Sequence, residues 1–216
     1  MLTITTEHSM KSPPIIAALA FIAFLLPAFA EQSLDAKAYA QQIVSSHGGA
    51  EKLLRIVKFS ETYYMGGDLT KKGTDRTSII PAPTLWYVGK TERVSKSGKG
   101  SVCQDIWMWT LVPLTDPNTK LEIVPDITTG GKLAHGLKVS GTIEPSITAF
   151  FDASTQDLVR IDWRGQTFTF SNPVEVDGTR VPSKCVLEGK DGKERIRTEL
   201  RSIERLHELP ADLPKP

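Results

Sequence analysis

Cysteine and histidine are scarce in this chain. Its 216 residues include two cysteines and four histidines, and none of them stands at the spacing of a zinc-binding CxxC or HExxH motif. The sequence also contains no phosphate-binding P-loop, no dinucleotide-binding GxGxxG turn and no GxSxG nucleophile elbow. We therefore expect no metal, no nucleotide, no other cofactor and no enzymatic activity.

An excess of charge of one sign is missing as well. The chain has 26 Lys+Arg and 25 Asp+Glu, for a formal net charge of +1. Nucleic-acid binders carry a basic surplus or stripe, and a polybasic patch attracts a protein to a membrane surface. The balanced charge argues against both classes. With 40% hydrophobic residues, the composition is that of one soluble globular domain.

The apolar run 15–26 is too short for a transmembrane helix, which needs about 20 apolar residues. It follows Lys11 and leads into Pro27-Ala28-Phe29-Ala30. A cationic start, a short apolar stretch and a small-x-small ending are typical of a secretory signal peptide. We predict a signal peptide over residues 1–30, cleaved after Ala30; an uncleaved anchor is the alternative. The mature protein is therefore expected to be exported.

Export affects the two cysteines, Cys103 and Cys185. Thiols pair readily in an oxidising compartment, and the loop-entropy model assigns about 4–5 kcal/mol to closing a loop of this length. Both residues also lie in apolar runs, where a buried free thiol is equally ordinary. A disulfide between them and two free thiols both remain open at this stage.

The mature chain begins with helical periodicity. Ser33 can cap a helix, and Gly48-Gly49 can end it, since glycine adopts the left-handed conformation found at helix ends. A short second helix is predicted over residues 50–56, with Leu53 and Leu54 on its apolar side. The apolar residues that recur at helical spacing in the first helix are Ala36, Tyr39, Ala40, Ile43 and Val44.

From residue 58 onward, short runs rich in Val, Ile, Thr and aromatics alternate with turn residues, which is typical of strands. Prolines limit residues 112–126 to an edge strand or a loop, and residues 207–216 are predicted to be a Pro-rich extended tail. Asp152–Asp157 resembles a calcium loop but lacks its glycine and final glutamate, which favours a capped hairpin turn. The predicted strands are 58–65, 75–80, 84–88, 91–96, 101–111, 119–124, 137–143, 146–151, 158–163, 166–172, 174–176, 181–189 and 194–206.

Consecutive hairpins of this kind give an up-and-down antiparallel sheet. A sheet of about ten strands must curl, and a partly closed barrel with a helix across its mouth satisfies that requirement. We therefore predict a mainly β (α+β) fold, a curved half-barrel of about ten strands with one or two N-terminal helices as a lid. It forms a single domain over residues 31–206, with no internal repeat.

Aromatic side chains alternate with polar ones along several strands and so point to one interior face. The run 106–111 is bulky and apolar at both parities, which predicts a strand covered on both faces. Curled sheets of this size either fill their interior with side chains or enclose an apolar ligand. Both interpretations stay open. The residues predicted to form the wall are Trp86, Trp107, Trp109, Trp163, Phe168 and Phe170.

Four phrases of the sequence resemble the outer-membrane lipoprotein-sorting (LolA/LolB-like) superfamily. They are His47-Gly48-Gly49 with the residues up to Lys58, Pro83-Thr84-Leu85-Trp86, the stretch from Phe150 to Val159, and the stretch from Glu175 to Lys184. Together they span roughly residues 35–205. The segment 101–114, with its Trp-Met-Trp, has no counterpart among these phrases, and Arg55 and Arg76 are the candidates for the superfamily's functional arginine.

The resemblance implies a periplasmic, non-catalytic carrier whose apolar cavity binds the acyl chain of a lipid or lipoprotein. One alternative is an envelope scaffold with a filled core, which would bind a protein partner through a sheet edge or the tail. Another is a hydrolase that gathers His47, His135 or His207 beside a carboxylate and a nucleophile. No nucleic-acid or nucleotide partner is expected.

Overall fold

Regular structure begins with one helix and continues almost entirely as antiparallel strands. The computed structural model describes residues 35–66, 68–82, 85–89, 91–92 and 102–213. Helix α1 is Ala36–Ser46, helix α2 is Val102–Trp109, and a short 3-10 helix covers Val112–Thr115. The strands are β1 (Ile56–Met65), β2 (Thr74–Ala82), β3 (Leu85–Val88), β4 (Thr91–Glu92), β5 (Lys120–Thr129), β6 (Lys132–Ser140), β7 (Ile147–Asp152), β8 (Leu158–Trp163), β9 (Gln166–Val176), β10 (Thr179–Glu188) and β11 (Glu194–Leu206).

The strands form one 11-stranded antiparallel sheet in the order β4-β3-β2-β1-β11-β10-β9-β8-β7-β6-β5. Its edges are β4 and β5, so the sheet is open, and the predicted half-barrel is confirmed. Since neighbouring strands are antiparallel, their connections alternate between two ends. The near end carries residues 130–131, 153–157 and 177–178, and the far end carries residues 66, 68–73, 164–165 and 189–193.

Helix α1 follows its predicted pattern, with Tyr39, Ala40, Ile43 and Val44 buried. Its N-cap is Asp35, whose Oδ1 accepts a hydrogen bond from the Ala38 amide at 2.8 Å. The predicted cap, Ser33, lies outside the described residues. An aspartate satisfies the free amides of the first turn as well as a serine does.

The buried side chains form two apolar clusters. The larger one joins both helices to strands β6–β10, and the smaller one, including Val57, Phe59 and Ile80, packs α2 against β1 and β2. Tyr39 of α1 meets Phe151 of β7 edge-on, with ring centroids 6.3 Å apart. Side chains of both helices therefore occupy the inner face of the sheet.

The predicted second helix over residues 50–56 is wrong. Residues 50–53 form turns, and β1 begins at Ile56, opposite Leu206 of β11. Leu53 and Leu54 are buried, each 1% exposed, so the apolar pattern predicted their burial correctly although it predicted the wrong element. The Lys52 and Leu53 carbonyl oxygens accept hydrogen bonds from the Arg205 guanidinium of β11 and not from helical amides.

The predicted strand 101–111 is also wrong, because residues 102–109 form helix α2. Ile106, Trp107 and Met108 are all buried. Consecutive apolar residues do not separate a buried helix from a buried strand. This helix contacts both apolar clusters. Its sequence therefore has no polar side, and the helical periodicity is not visible.

Smaller differences concern the strand limits and prolines. The two strands predicted over 166–176 are one strand, β9, in which Pro173 stands opposite Pro182 of β10. Pro125 lies in β5, an edge strand as predicted, at a register shift between Val124 and Ile127. Strand β4 is described only for residues 91–92.

The predicted signal peptide lies outside the described residues, as do residues 93–100. Among the helices that the structure describes, none has the length and apolar character to cross a membrane. Residues 207–213 contain no regular secondary structure.

Candidate functional site

A cleft of about 530 Å³ opens at the near end of the half-barrel. Its lining comes from His47 beyond α1, Trp109 of α2, the connections between β5 and β6 and between β7 and β8, and the ends of β8, β9 and β10. Its volume lies within the roughly 300–1,000 Å³ of ordinary small-ligand sites.

The lining of the cleft is predominantly apolar. Trp109 meets Phe170 edge-on, with ring centroids 5.2 Å apart, and Leu111, Leu158 and Val181 continue the apolar surface. Phe170 points inward because β9 alternates, with Phe168 and Phe170 buried. An elongated apolar group placed here would contact side chains from one helix and three strands.

Charged side chains border this apolar surface. Lys132 Nζ lies 3.5 Å from Asp152 Oδ2, and Arg180 Nε donates to Asp157 Oδ1 at 2.8 Å. Arg180 also donates to the Thr155 carbonyl oxygen at 2.6 Å. All of these residues line the cleft. Its rim is therefore a polar frame of two cation–carboxylate pairs.

Asp152 organises the connection between β7 and β8. Its Oδ1 accepts hydrogen bonds from the Ser154 amide at 2.8 Å, the Ser154 hydroxyl at 2.6 Å and the Thr155 amide at 3.0 Å. The Ser154 bonds and the Thr155 amide, with Lys132 nearby, hold the pKa of Asp152 well below its usual range against the effect of burial. The segment is the capped turn that the sequence predicts.

His47 connects the end of α1 to this turn. It is 2% exposed, and its Nδ1 lies 2.8 Å from the Ile43 carbonyl oxygen. Since a carbonyl only accepts, Nδ1 is assigned the proton. The other nitrogen, Nε2, lies 3.6 Å from Asp157 Oδ1. Burial is the main cause that lowers the pKa of His47, so the ring is neutral near pH 7.

A hydroxyl also lies near His47. Ser46 Oγ is 3.0 Å from His47 Nδ1 and donates to the Ile43 carbonyl oxygen at 2.8 Å. Because Nδ1 carries the ring proton, it cannot accept the hydroxyl proton as a general base must. The arrangement therefore ties a helix end to a turn and does not activate Ser46.

The structure separates the six predicted wall residues. Trp107, Trp163, Phe168 and Phe170 are buried in the larger cluster, and Trp109 packs against both clusters. Trp86 packs against the smaller cluster. Trp109 and Phe170 are the two of the six that line the cleft.

The charged rim consists of residues that no sequence motif indicated as binding residues. Lys132, Asp157 and Arg180 come from connections or strands that are distant in sequence. Asp157 and Arg180 belong to phrases that carry the superfamily resemblance, and this was the one signal that pointed to them. Their pairing depends on the β7–β8 turn reaching β10.

The two candidate arginines lie away from the cleft lining. Arg76 pairs with the buried Glu61, and its guanidinium stands 4.5 Å from the Tyr63 ring centroid and 4.9 Å from that of Trp86. Arg55 is exposed and lines a separate charged groove beside Arg205. A functional role for either arginine stays a prediction.

Two further expectations concern metals and thiols. Within the described ranges, no three His, Cys, Asp or Glu side chains converge as metal ligands do. Cys185 is buried and forms no disulfide with another described residue, and the side chain of Cys103 lies outside the described residues. A disulfide between them and two free thiols both stay predictions.

No family model matches the sequence, and a comparison with curated proteins returns no match. Solved structures do match. A domain from Vibrio parahaemolyticus described as outer membrane lipoprotein-sorting superposes with a TM-score of 0.54 at 9% identity, covering 82% of this chain and 94% of that one. A DUF1329 family protein from Desulfovibrio piger superposes with a TM-score of 0.51 at 10% identity, covering 82% of this chain and 96% of that one.

At these identities the similarity concerns the fold. It agrees with the resemblance in the sequence, whose phrases fall on β3, on the β7–β8 hairpin and on the β9–β10 hairpin. The chain therefore has the fold of an outer membrane lipoprotein-sorting domain.

Proposed function

We propose that this protein is an exported, periplasmic, non-catalytic carrier or binder of the acyl chain of a lipid or lipoprotein. The observation that carries the proposal is the near-end cleft, with an apolar lining and a polar rim. The shared fold and the signal-peptide pattern of residues 1–30 support it.

The driving force is desolvation. Each methylene moved from water to an apolar surface contributes about 0.8 kcal/mol. No charge, metal or cofactor is needed for this gain, and Trp109, Phe170 and Leu158 supply the surface. The acyl chain would lie beside Trp109 and Phe170. The other predicted wall residues are already packed: Trp107, Trp163 and Phe168 are buried in the larger cluster, and Trp86 packs against the smaller one.

The rim fits an amphiphile whose polar end stays in water. Lys132 and Arg180 each neutralise a carboxylate, so the mouth presents balanced charge and excludes neither an acid nor a neutral ester. We infer that apolar length, more than headgroup charge, selects the ligand.

Native mass spectrometry of protein purified from an envelope fraction tests the proposal, together with titration of a fluorescent fatty-acid probe. We expect bound lipid in the spectra and saturable enhancement of probe fluorescence. Consistent absence of both would contradict the proposal. It would favour the alternative function, an envelope scaffold with a filled core.

A plugging variant locates the site. Ser171 lines the cleft and is exposed, so Ser171→Trp is expected to fill the mouth and weaken probe binding by about tenfold or more. Ser202, an exposed serine of β11 outside the lining, provides the matched control. Ser202→Trp should bind the probe as the unmodified protein does, and equal binding by both variants would place the ligand elsewhere.

A further inference from the structure

The far end of the half-barrel exposes apolar side chains where the sheet turns. Met65 at the end of β1 is 65% exposed, and Leu69 in the β1–β2 connection is 52% exposed. They are four residues apart in one hairpin. An isolated exposed apolar residue needs no explanation, but two on one hairpin beside basic side chains do.

Three turns come together around this hairpin. The Gly66 amide donates to the Arg195 carbonyl oxygen at 2.6 Å, which joins the β1–β2 connection to the start of β11. The β10–β11 connection in turn reaches the β8–β9 turn, where the Lys190 side chain lies directly over Gly165. Both connections line one groove of about 570 Å³.

These turns concentrate positive charge. They carry five basic residues, Lys71, Lys72, Arg164, Lys190 and Lys193, against two carboxylates, Asp68 and Asp191. Asp68 lies 3.3 Å from Lys71, and Asp191 lies 2.8 Å from Arg195, so both carboxylates already face a cation. The next connection at this end, residues 141–146, adds one carboxylate, Glu144. Glu188 and Glu194 flank the β10–β11 connection, and Arg195 and Arg197 follow in β11, where Arg197 pairs with Glu194 at 2.7 Å. With these flanking residues included, the described connections of the far end stay net positive in a chain whose formal net charge is +1.

We propose that the far end, with Met65 and Leu69 amid the lysines of the β1–β2 and β10–β11 connections, docks onto an anionic lipid bilayer. Lysines near the headgroup level are attracted by the negative surface potential, while exposed apolar side chains enter the headgroup boundary. The near-end cleft would then face away from the bilayer. The proposal does not depend on what the cleft binds.

Sedimentation with vesicles tests it. The protein should bind vesicles of phosphatidylcholine containing phosphatidylglycerol, bind pure phosphatidylcholine far more weakly, and dissociate as salt is raised, because exposed charges are screened. Failure to bind the anionic vesicles, or equal binding to both compositions, would overturn the proposal. If the partner of this surface were an acidic protein and not a bilayer, the anionic vesicles would not bind.

Paired variants assign the surface. Met65→Ser with Leu69→Ser, and separately Lys71→Gln with Lys72→Gln, should each weaken binding by about tenfold or more. All four side chains lie on the surface, and circular dichroism would verify that the variants fold.

The controls are exposed residues of the near end. Leu133 is 50% exposed on β6, and Lys52 and Arg55 are exposed cations beyond α1. Leu133→Ser, and Lys52→Gln with Arg55→Gln, should leave vesicle binding unchanged. If the control variants lose as much binding as the far-end variants, the far end is not the docking surface.

Discussion

At the scale of single residues, folding changes the pKa values of buried ionisable side chains. Asp105 of α2 is 4% exposed, and burial raises its pKa to about 8, with the Ile106 backbone hydrogen bond acting in the opposite direction. Burial also raises the pKa of the Cys185 thiol, as do the nearby carboxyls of Asp105 and Glu61. At neutral pH, Asp105 is therefore largely protonated, and an unpaired Cys185 keeps its thiol proton.

Asp105→Asn should remove a pH dependence of stability. The folded protein retains a proton on Asp105 up to about pH 8, whereas an unfolded aspartate loses it near pH 4. Since the folded state binds more protons in that window, stability falls as pH rises through it and levels off above pH 8. Because the amide of Asp105→Asn does not titrate, its free energy of unfolding should not fall in this way. Relative to the unmodified protein, the variant should gain on the order of a few kcal/mol as the pH rises across the window.

Urea unfolding between pH 4 and pH 9 measures this difference. Asp116, which accepts a hydrogen bond from the Asn118 amide in an accessible turn, provides the control. Asp116→Asn keeps an oxygen that can accept this hydrogen bond and controls for the substitution of an aspartate by asparagine. Parallel curves for Asp105→Asn and the unmodified protein would show that the carboxyl is not protonated in the fold.

Folding shifts the pKa of Asp152 in the opposite direction to that of Asp105. Three hydrogen bonds from Ser154 and Thr155 favour its ionised form, and its pKa is lowered. Asp152→Ala should reduce the free energy of unfolding by about 2 kcal/mol, and Asp152→Asn should cost less because its amide oxygen still accepts.

The same group sets an acid limit. A carboxylate whose pKa is lowered by folding contributes stability above its unfolded value, near pH 4, and loses it as the pH falls further. Thermal unfolding at pH 7 and pH 3 should therefore show a smaller penalty for Asp152→Ala at the lower pH. An equal penalty at both values would mean that the charge of Asp152 contributes nothing.

At the scale of elements, the close contact after the end of α1 fixes the position of this helix against the β9–β10 hairpin. Gly48 has φ +89° and its backbone lies close to Gly178, so a Cβ at Gly48 would collide with the Gly178 carbonyl oxygen. Gly178 has φ +81°, but the nearest atom to a Cβ there is Lys52 Cδ at 3.9 Å. The two glycines share a backbone conformation and differ in the space around them.

This pair gives a matched test. Gly178→Ala should cost about 1 kcal/mol, the cost of a left-handed conformation for a residue with a Cβ. Gly48→Ala should cost about 2–3 kcal/mol, because the helix end must also move away from the hairpin. Chemical denaturation measures both values. Equal costs would mean that α1 and the hairpin shift apart freely.

Helix α2 shows where element prediction fails for a physical reason. Its apolar residues lie on both parities because the helix packs against two clusters at once. A strand covered on both faces produces the same pattern. Helix α1, with polar residues on its exposed side, keeps a readable period and was predicted correctly.

For the whole molecule, ligand binding should appear as stabilisation. A ligand that binds only the folded state adds about 2.7 kcal/mol at a concentration of 100 Kd. For a chain of this size that corresponds to a rise in Tm of about 5–10 °C. Differential scanning fluorimetry with fatty acids of increasing length should show a shift that grows with chain length.

The control for this measurement is Ser171→Trp, whose Tm should rise less than that of the unmodified protein at the same fatty-acid concentration. A shift that is independent of chain length, or equal in the plugged variant, would point to surface adsorption and not to occupation of the cleft.

The sequence by itself determined the consecutive hairpins of β1–β4 and of β5–β11, the first helix, the capped turn at Asp152 and the inward direction of Phe168 and Phe170, because each depends on local periodicity or turn chemistry. Only the tertiary structure decided that α2 is a helix, that β1 pairs with β11 while β4 and β5 become the two edges of the sheet, and that four of the six predicted wall residues are buried within a packed cluster. It alone brought Lys132, Asp157 and Arg180 to one cleft, and gathered lysines of separate hairpins at the far end of a chain with balanced charge. Pairing between distant strands sets those distances, and no local pattern encodes them.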